Sequence, residues 1–164
     1  RLARETVERY VDEGKRLSVP EYLPEEALTR RAGTFVSLKK FGQLRGCIGT
    51  ISPAEANISE EIIHNAISAS TRDPRFPPVS PSELKDLDYS VDILGETEDI
   101  DSPEELDVKK YGVIVSSGYR RGLLLPNLEG IDDVEDQISI AMQKAGIRKG
   151  ERIRLQRFEV VRYH

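Results

Sequence analysis

The sequence predicts an α+β fold: a mainly antiparallel β-sheet with helices packed against it. Three observations carry this. Apolar residues recur at helical spacing in three separate segments, near residues 3–11, 58–67 and 134–145. Strand-like runs come in pairs joined by short glycine-containing turns, at 34–50 and 111–126. Helices interrupt these hairpins without a strand–helix–strand alternation, so a parallel sheet is not indicated, and no glycine-rich phosphate loop is present.

In order along the chain, residues 1 to 14 place Ala3, Val7, Tyr10 and Val11 on one helical face, and Gly14 suits the stop. A short helix follows Pro24, with Glu25 and Glu26 in its first turn. Strands are expected at Thr34–Lys39 and Gln43–Thr50. A three-residue loop, Lys40-Phe41-Gly42, pairs Leu38 with Leu44 and Ser37 with Arg45. That register sends Val36, Leu38, Leu44 and Ile48 to the core and puts Phe35, Ser37, Arg45 and Cys47 on the other face.

Ser-Pro-x-Glu occurs at 52–55, 80–83 and 102–105, each a capping box with proline in the first turn. The first opens a helix, with a break near Asn57, whose apolar face is Ile58, Ile62, Ala66 and Ile67. This helix must end before Pro74. The other two open single turns. "DYSVDIL", 88–94, alternates as a half-buried strand, with Tyr89, Val91 and Ile93 inward. "YGVIVSSGYRRGLLLP" reads as strand, Gly118 turn and strand. Asp132 and Glu135 cap a helix that Gly146 ends. In the last strand, 153–163, the apolar parity changes, and a bulge near Gln156-Arg157 accounts for it.

Composition narrows the class. The 164 residues are 38% hydrophobic and 32% charged, with net charge −5, which suits a globular domain with a charged surface. No apolar run is long enough for a membrane helix. One cysteine and two histidines, far apart, give no metal-spaced cluster, so no metal and no cofactor is expected. A lone thiol fits a reducing compartment, and the expectation is the cytoplasm. The chain starts at Arg1, which fits a piece excised from a longer or fused protein. From Lys144 onward seven basic residues face two acidic ones, a balance that could meet phosphate. The acidic whole and only four phenylalanines make nucleic-acid binding the less favoured reading.

Cys47 is the candidate nucleophile. Arg45 is its neighbour on the same strand face and the candidate for stabilising a thiolate. Gly46 and Gly49 free space that a ligand or another chain segment could use. The alternative is that Cys47 packs as a small hydrophobe. The stiff "DPRFPPV" segment holds Asp73 and Arg75 as a charged pair. His64 lies off the apolar stripe of its helix and reads as a surface residue. Arg120 or Arg121 could bind an anion.

"LRGCIGT" (44–50), "DPRFPPV" (73–79), "GLLLP" (122–126) and "KAGI" (144–147), in this order, resemble the AMMECR domain family over about residues 1 to 164, read as a single domain. The resemblance implies an α+β fold with a larger and a smaller lobe and a cleft at the LRGCIG segment. The positions it carries over are Arg45, Gly46, Cys47 and Gly49, then Asp73, Pro74, Arg75 and Phe76; Arg45 and Cys47 are the catalytic candidates, and Gly46, Gly49, Asp73, Arg75 and Phe76, with Ser37 from the shared strand face, are the ligand contacts. The ligand class is a small molecule or nucleotide, in a cysteine-dependent enzyme or a component of a modification system; the alternative is a non-catalytic protein- or nucleic-acid-binding module. Prokaryotic relatives look like protein A of the AmmeMemoRadiSam system, so Memo-like dioxygenase-fold and radical-SAM proteins are the implied partners. The chain departs from the relatives after Pro126, where Asn127 replaces their frequent glutamine, and it has no tryptophan.

Overall fold

A computed structural model describes residues 1–164. It is α+β and consists of two compact units, a larger one of residues 1–93 with 161–164 and a smaller one of residues 94–160. No helix is long and apolar enough to cross a membrane.

The larger unit begins with α1 (Leu2–Glu13), which ends on left-handed Gly14 donating to the Tyr10 carbonyl. A short α2 (Glu25–Thr29) follows Pro24. Strands β1 (Thr34–Lys40) and β2 (Gln43–Gly49) form a hairpin, and α3 (Ile58–Thr71) crosses behind it. Strand β3 (Leu87–Leu94) and, near the C-terminus, β8 (Val160–Tyr163) complete an antiparallel sheet in the order β2-β1-β3-β8. Its inner face buries Val36 and Leu38 completely against Ile63, Ala66 and Val7 of the two long helices. Each such side chain removed from water contributes about 2 kcal/mol.

The hairpin corrects the expected register. The loop has two residues, Phe41 and Gly42, both at positive φ, so Lys40 pairs with Gln43. A bulge at Arg45 then restores the phase: Lys39 faces Leu44, Leu38 faces Gly46 and Ser37 faces Cys47. The bulge restores the alternation of faces that the three-residue loop was meant to give, but with Ser37 opposite Cys47 where that loop would set it opposite Arg45. It also turns Leu44 outward, so Leu44 is exposed rather than in the core. The first Ser-Pro-x-Glu stretch is irregular, and α3 starts only at Asn57, whose side chain accepts from the Glu60 N–H. The carboxylate of Glu61, fully buried, accepts from the Ala54 and Glu55 N–H groups and the Thr50 hydroxyl, tying the stretch down. The box at Ser102 opens a single 3₁₀ turn, as expected, whereas that at Ser80 opens a longer 3₁₀ helix, Pro81–Asp86.

The smaller unit has the sheet β4-β7-β5-β6, made of β4 (Glu98–Ile100), β5 (Gly112–Ser117), β6 (Arg120–Leu124) and β7 (Arg154–Phe158). Helix α4 (Val134–Ala145) packs on one side, capped by Asp133 rather than Asp132 and ended by Gly146. Val113, Val115, Leu124, Leu155 and Ala141 form the core. No bulge at Gln156-Arg157 explains the phase change at the C-terminus. The chain leaves one sheet at Phe158 and joins the other at Val160, so the two parities belong to two strands.

Candidate functional site

The site is built on the free edge of β2. Because Ser37 and Cys47 are directly opposed, their side chains project to the same face, and Ser37 Oγ lies 3.3 Å from Cys47 Sγ. Ser90 of β3 pairs with Ser37 on its other side, so a row Cys47–Ser37–Ser90 crosses the outer face of the sheet. Cys47 is half-buried there.

The backbone of Cys47 points the other way, to the sheet edge, where an unpaired N–H and C=O would invite another strand. The DPR segment closes it. The Asp73 carboxylate accepts from the Cys47 N–H at 3.0 Å, and Arg75 Nη2 donates to the Cys47 carbonyl at 3.2 Å. One carboxylate and one guanidinium thus replace a neighbouring strand for a single residue. Asp73 also accepts from the Arg75 N–H and Nε, each at 3.0 Å, and from Nη2 at 2.8 Å. The helix end and Pro74 fix the geometry, with the Val79 N–H donating to the Ser70 carbonyl.

The electrostatics follow. The Arg75 guanidinium, helped by the Cys47 and Arg75 N–H groups and opposed by burial, holds the Asp73 carboxyl down at about 2, below its ordinary 3.8. Arg75 is raised in turn, chiefly by Asp73, with charge on Cys47 the smallest contributor. The Asp73 side chain is 2% exposed and that of Arg75 53%, so the cation is anchored from below and open above.

Arg45 goes elsewhere. Its Nη2 donates to Glu83 Oε2 at 3.0 Å, and Lys40 joins the same carboxylate at 3.4 Å. Burial pushes the Glu83 carboxyl up, but the Ser80 N–H, Arg45 and Lys40 outweigh it and leave it lowered. The guanidinium set against Cys47 is therefore that of Arg75. The Phe76 ring connects the two arginines, 5.5 Å from the guanidinium carbon of Arg75 and 6.0 Å from that of Arg45. Ser37, Cys47, Asp73, Arg75 and Phe76 are brought together, and Arg45 joins through Phe76. The glycines serve the chain itself: a Cβ on Gly46 would meet the Ala69 carbonyl oxygen at 2.2 Å, and one on Gly49 the Phe35 ring at 2.2 Å. His64 pairs with Glu55 at 3.4 Å. Glu83 and Lys40 escaped the sequence reading. The capping box at Ser80 marks Glu83 as a placed carboxylate, but nothing local indicates which cation it meets.

Comparison with known proteins places this geometry in context. A sequence model of the AMMECR1 family matches residues 1–164. A Thermotoga maritima protein is 54% identical over 159 residues, covering 96% of this chain and 91% of its own length. A Clostridium acetobutylicum protein is 52% identical over 164 residues, and the chain spans only 35% of that protein's length. The crystal structure of an uncharacterised Pyrococcus horikoshii protein superposes with a TM-score of 0.90 at 31% identity, covering 98% of this chain and 86% of that one.

Proposed function

This chain belongs to the AMMECR1 family, and from the geometry of its edge strand we propose that Cys47 is a reactive thiol in a site for a small anionic ligand, received by Arg75. The observation that carries this reading is the anchored guanidinium. Arg75 is fixed by Asp73 and by the carbonyl of Cys47 itself, while half its side chain stays open to solvent. A preorganised cation held at the carbonyl of the residue that carries the thiol favours an incoming electrophile that bears negative charge. Asp73 positions Arg75, Ser37 donates to or accepts from the sulfur, and Phe76 covers one flank of both arginines. Cytoplasmic placement, expected from the lone thiol, and partnership with Memo-like and radical-SAM proteins, implied by the family resemblance, belong to the same proposal.

Charge selectivity of alkylation tests it. Attack by the Cys47 sulfur on iodoacetate or iodoacetamide forms a C–S bond and expels iodide, and the two reagents are close in size and differ in charge, their intrinsic rates being referenced to a free thiol. The iodoacetate-to-iodoacetamide rate ratio should exceed that of a small free thiol, and Arg75→Gln should lower it several-fold with the iodoacetamide rate little changed. A ratio equal to that of the free thiol, unmoved by Arg75→Gln, would sink the proposal. It would favour a non-catalytic module in which Asp73 and Arg75 only close the sheet edge, the role their bonds to the Cys47 backbone also serve.

A further inference from the structure

We propose that the smaller unit holds a second binding site, for a small phosphorylated ligand carrying a diphosphate, in a cavity of about 540 Å³ lined by Ser116, Ser117, Gly118, Arg121, Arg152 and Arg154 among others. The volume lies in the range of small-molecule sites.

The sheet builds it by strand alternation. In β6, Gly122 and Leu124 face α4, so Arg120 faces α4 too and Arg121 faces away. The two neighbours accordingly differ. Arg120 is held by Glu151 and donates to the Gly146 carbonyl at the end of α4. Arg121 opens into the cavity. In β7, Leu155 faces the core and Arg154 turns to the same side as Arg121. Ser116 of β5 is paired with both, with Arg121 on one strand and Arg154 on the other. Arg152, two residues before Arg154, lines the same cavity.

Like charges facing one another across a sheet cost stability. Here two arginines flank one serine and a third stands beside them. The sole carboxylate shown on this group is Asp99, 2.7 Å from Arg154. Yet residues 94–160 carry fourteen Asp/Glu against ten Lys/Arg. An acidic unit that gathers three guanidinium groups in one concavity, and neutralises one, is arranged for an external anion. Planar N–H forks match phosphate oxygens two at a time, and the Ser116 hydroxyl and the Gly118 turn add neutral donors. With Arg154 already engaged by Asp99, Arg121 and Arg152 provide the net charge, which a multiply charged diphosphate matches better than a single carboxylate. The acidity of the surrounding unit disfavours a long polyanion.

Titrating the full chain with inorganic pyrophosphate at low salt tests this, and it reads nothing at Cys47. Pyrophosphate should bind and shift the amide signals of Ser116, Ser117 and Gly118 in the wild-type protein. Arg121→Ala with Arg152→Ala should weaken binding by about tenfold or more, Arg121→Lys should weaken it less, and Arg9→Ala on α1 should leave it unchanged. No binding at millimolar pyrophosphate overturns the proposal. So do signal shifts centred elsewhere, or an oligonucleotide that binds these residues more tightly than pyrophosphate does. Because the shifts are read in the wild-type chain, misfolding of a variant leaves the proposal testable.

Discussion

Asp73→Ala should destabilise the larger unit by about 2–4 kcal/mol, the range for removing one partner from a buried charged hydrogen-bond cluster. The carboxylate accepts four hydrogen bonds, from the Cys47 N–H and three Arg75 groups. Alanine leaves the edge N–H of Cys47 without its acceptor and frees Arg75. The cost falls short of a fully buried pair because half the Arg75 side chain is in water. Denaturant unfolding followed by circular dichroism measures it. Asp73→Asn keeps an acceptor for Cys47 but loses the charge that holds Arg75, so it should lie between wild type and alanine. The same group sets an acid limb. A carboxyl lowered from 3.8 to about 2 stabilises the fold fully above pH 3.8. That contribution, on the order of 2 kcal/mol before screening, is lost as pH falls from there through 2. Asp73→Asn should flatten this part of the stability–pH curve. A mutant curve parallel to wild type below pH 4 would contradict the assignment.

Gly46→Ala should be at least as damaging, about 3 kcal/mol or more, at the upper end of overpacking. The added carbon would lie 2.2 Å from the Ala69 carbonyl oxygen, and its relief requires β2 and α3 to move apart because backbone cannot rotate away. Gly49→Ala makes the informative comparison. Its clash is with the Phe35 ring, a side chain that can swing, so the loss should be smaller, about 1–2 kcal/mol. Thermal unfolding of the two variants should rank Gly46→Ala below Gly49→Ala. The reverse order would mean that the helix–strand approach is looser than described. Since Gly46 adjoins Cys47, Gly46→Ala should also disturb thiol reactivity, whereas Gly49→Ala should leave it near wild type.

Much of this architecture could be read from residue order. Period and caps located α1, α3 and α4, because Gly14 and Gly146 end helices whose apolar spacing is regular. Alternation placed Tyr89, Val91 and Ile93 on the core side of β3. The failures share a cause. Turn length and bulge trade against each other: a three-residue loop, or a two-residue loop with a bulge at Arg45, puts Ser37 and Cys47 on the same face, although Ser37 faces Arg45 in the first and Cys47 in the second. Only backbone geometry separates them, and it decides where Leu44 points. Likewise a parity change at the C-terminus is produced equally by a bulge and by a switch between sheets at Glu159. At the site, i,i+2 spacing put Arg45 and Cys47 on one face, but spacing says nothing of the distant Glu83 that draws Arg45 away. Asp73 and Arg75 were visible as a rigid charged pair. Their service to the backbone of Cys47 depends on β2 being an edge strand, a property of the assembled sheet.

The central claim is that the Asp73 carboxylate, kept ionised by Arg75, grips the edge of β2 at Cys47. Following the Cys47 backbone amide proton and the Arg75 Nε proton by NMR as pH is lowered tests it most directly. Both signals should stay flat through the ordinary carboxyl range and move together only as pH approaches about 2. An inflection of either near 3.8, or movement of one without the other, would show that the two groups do not share that carboxylate.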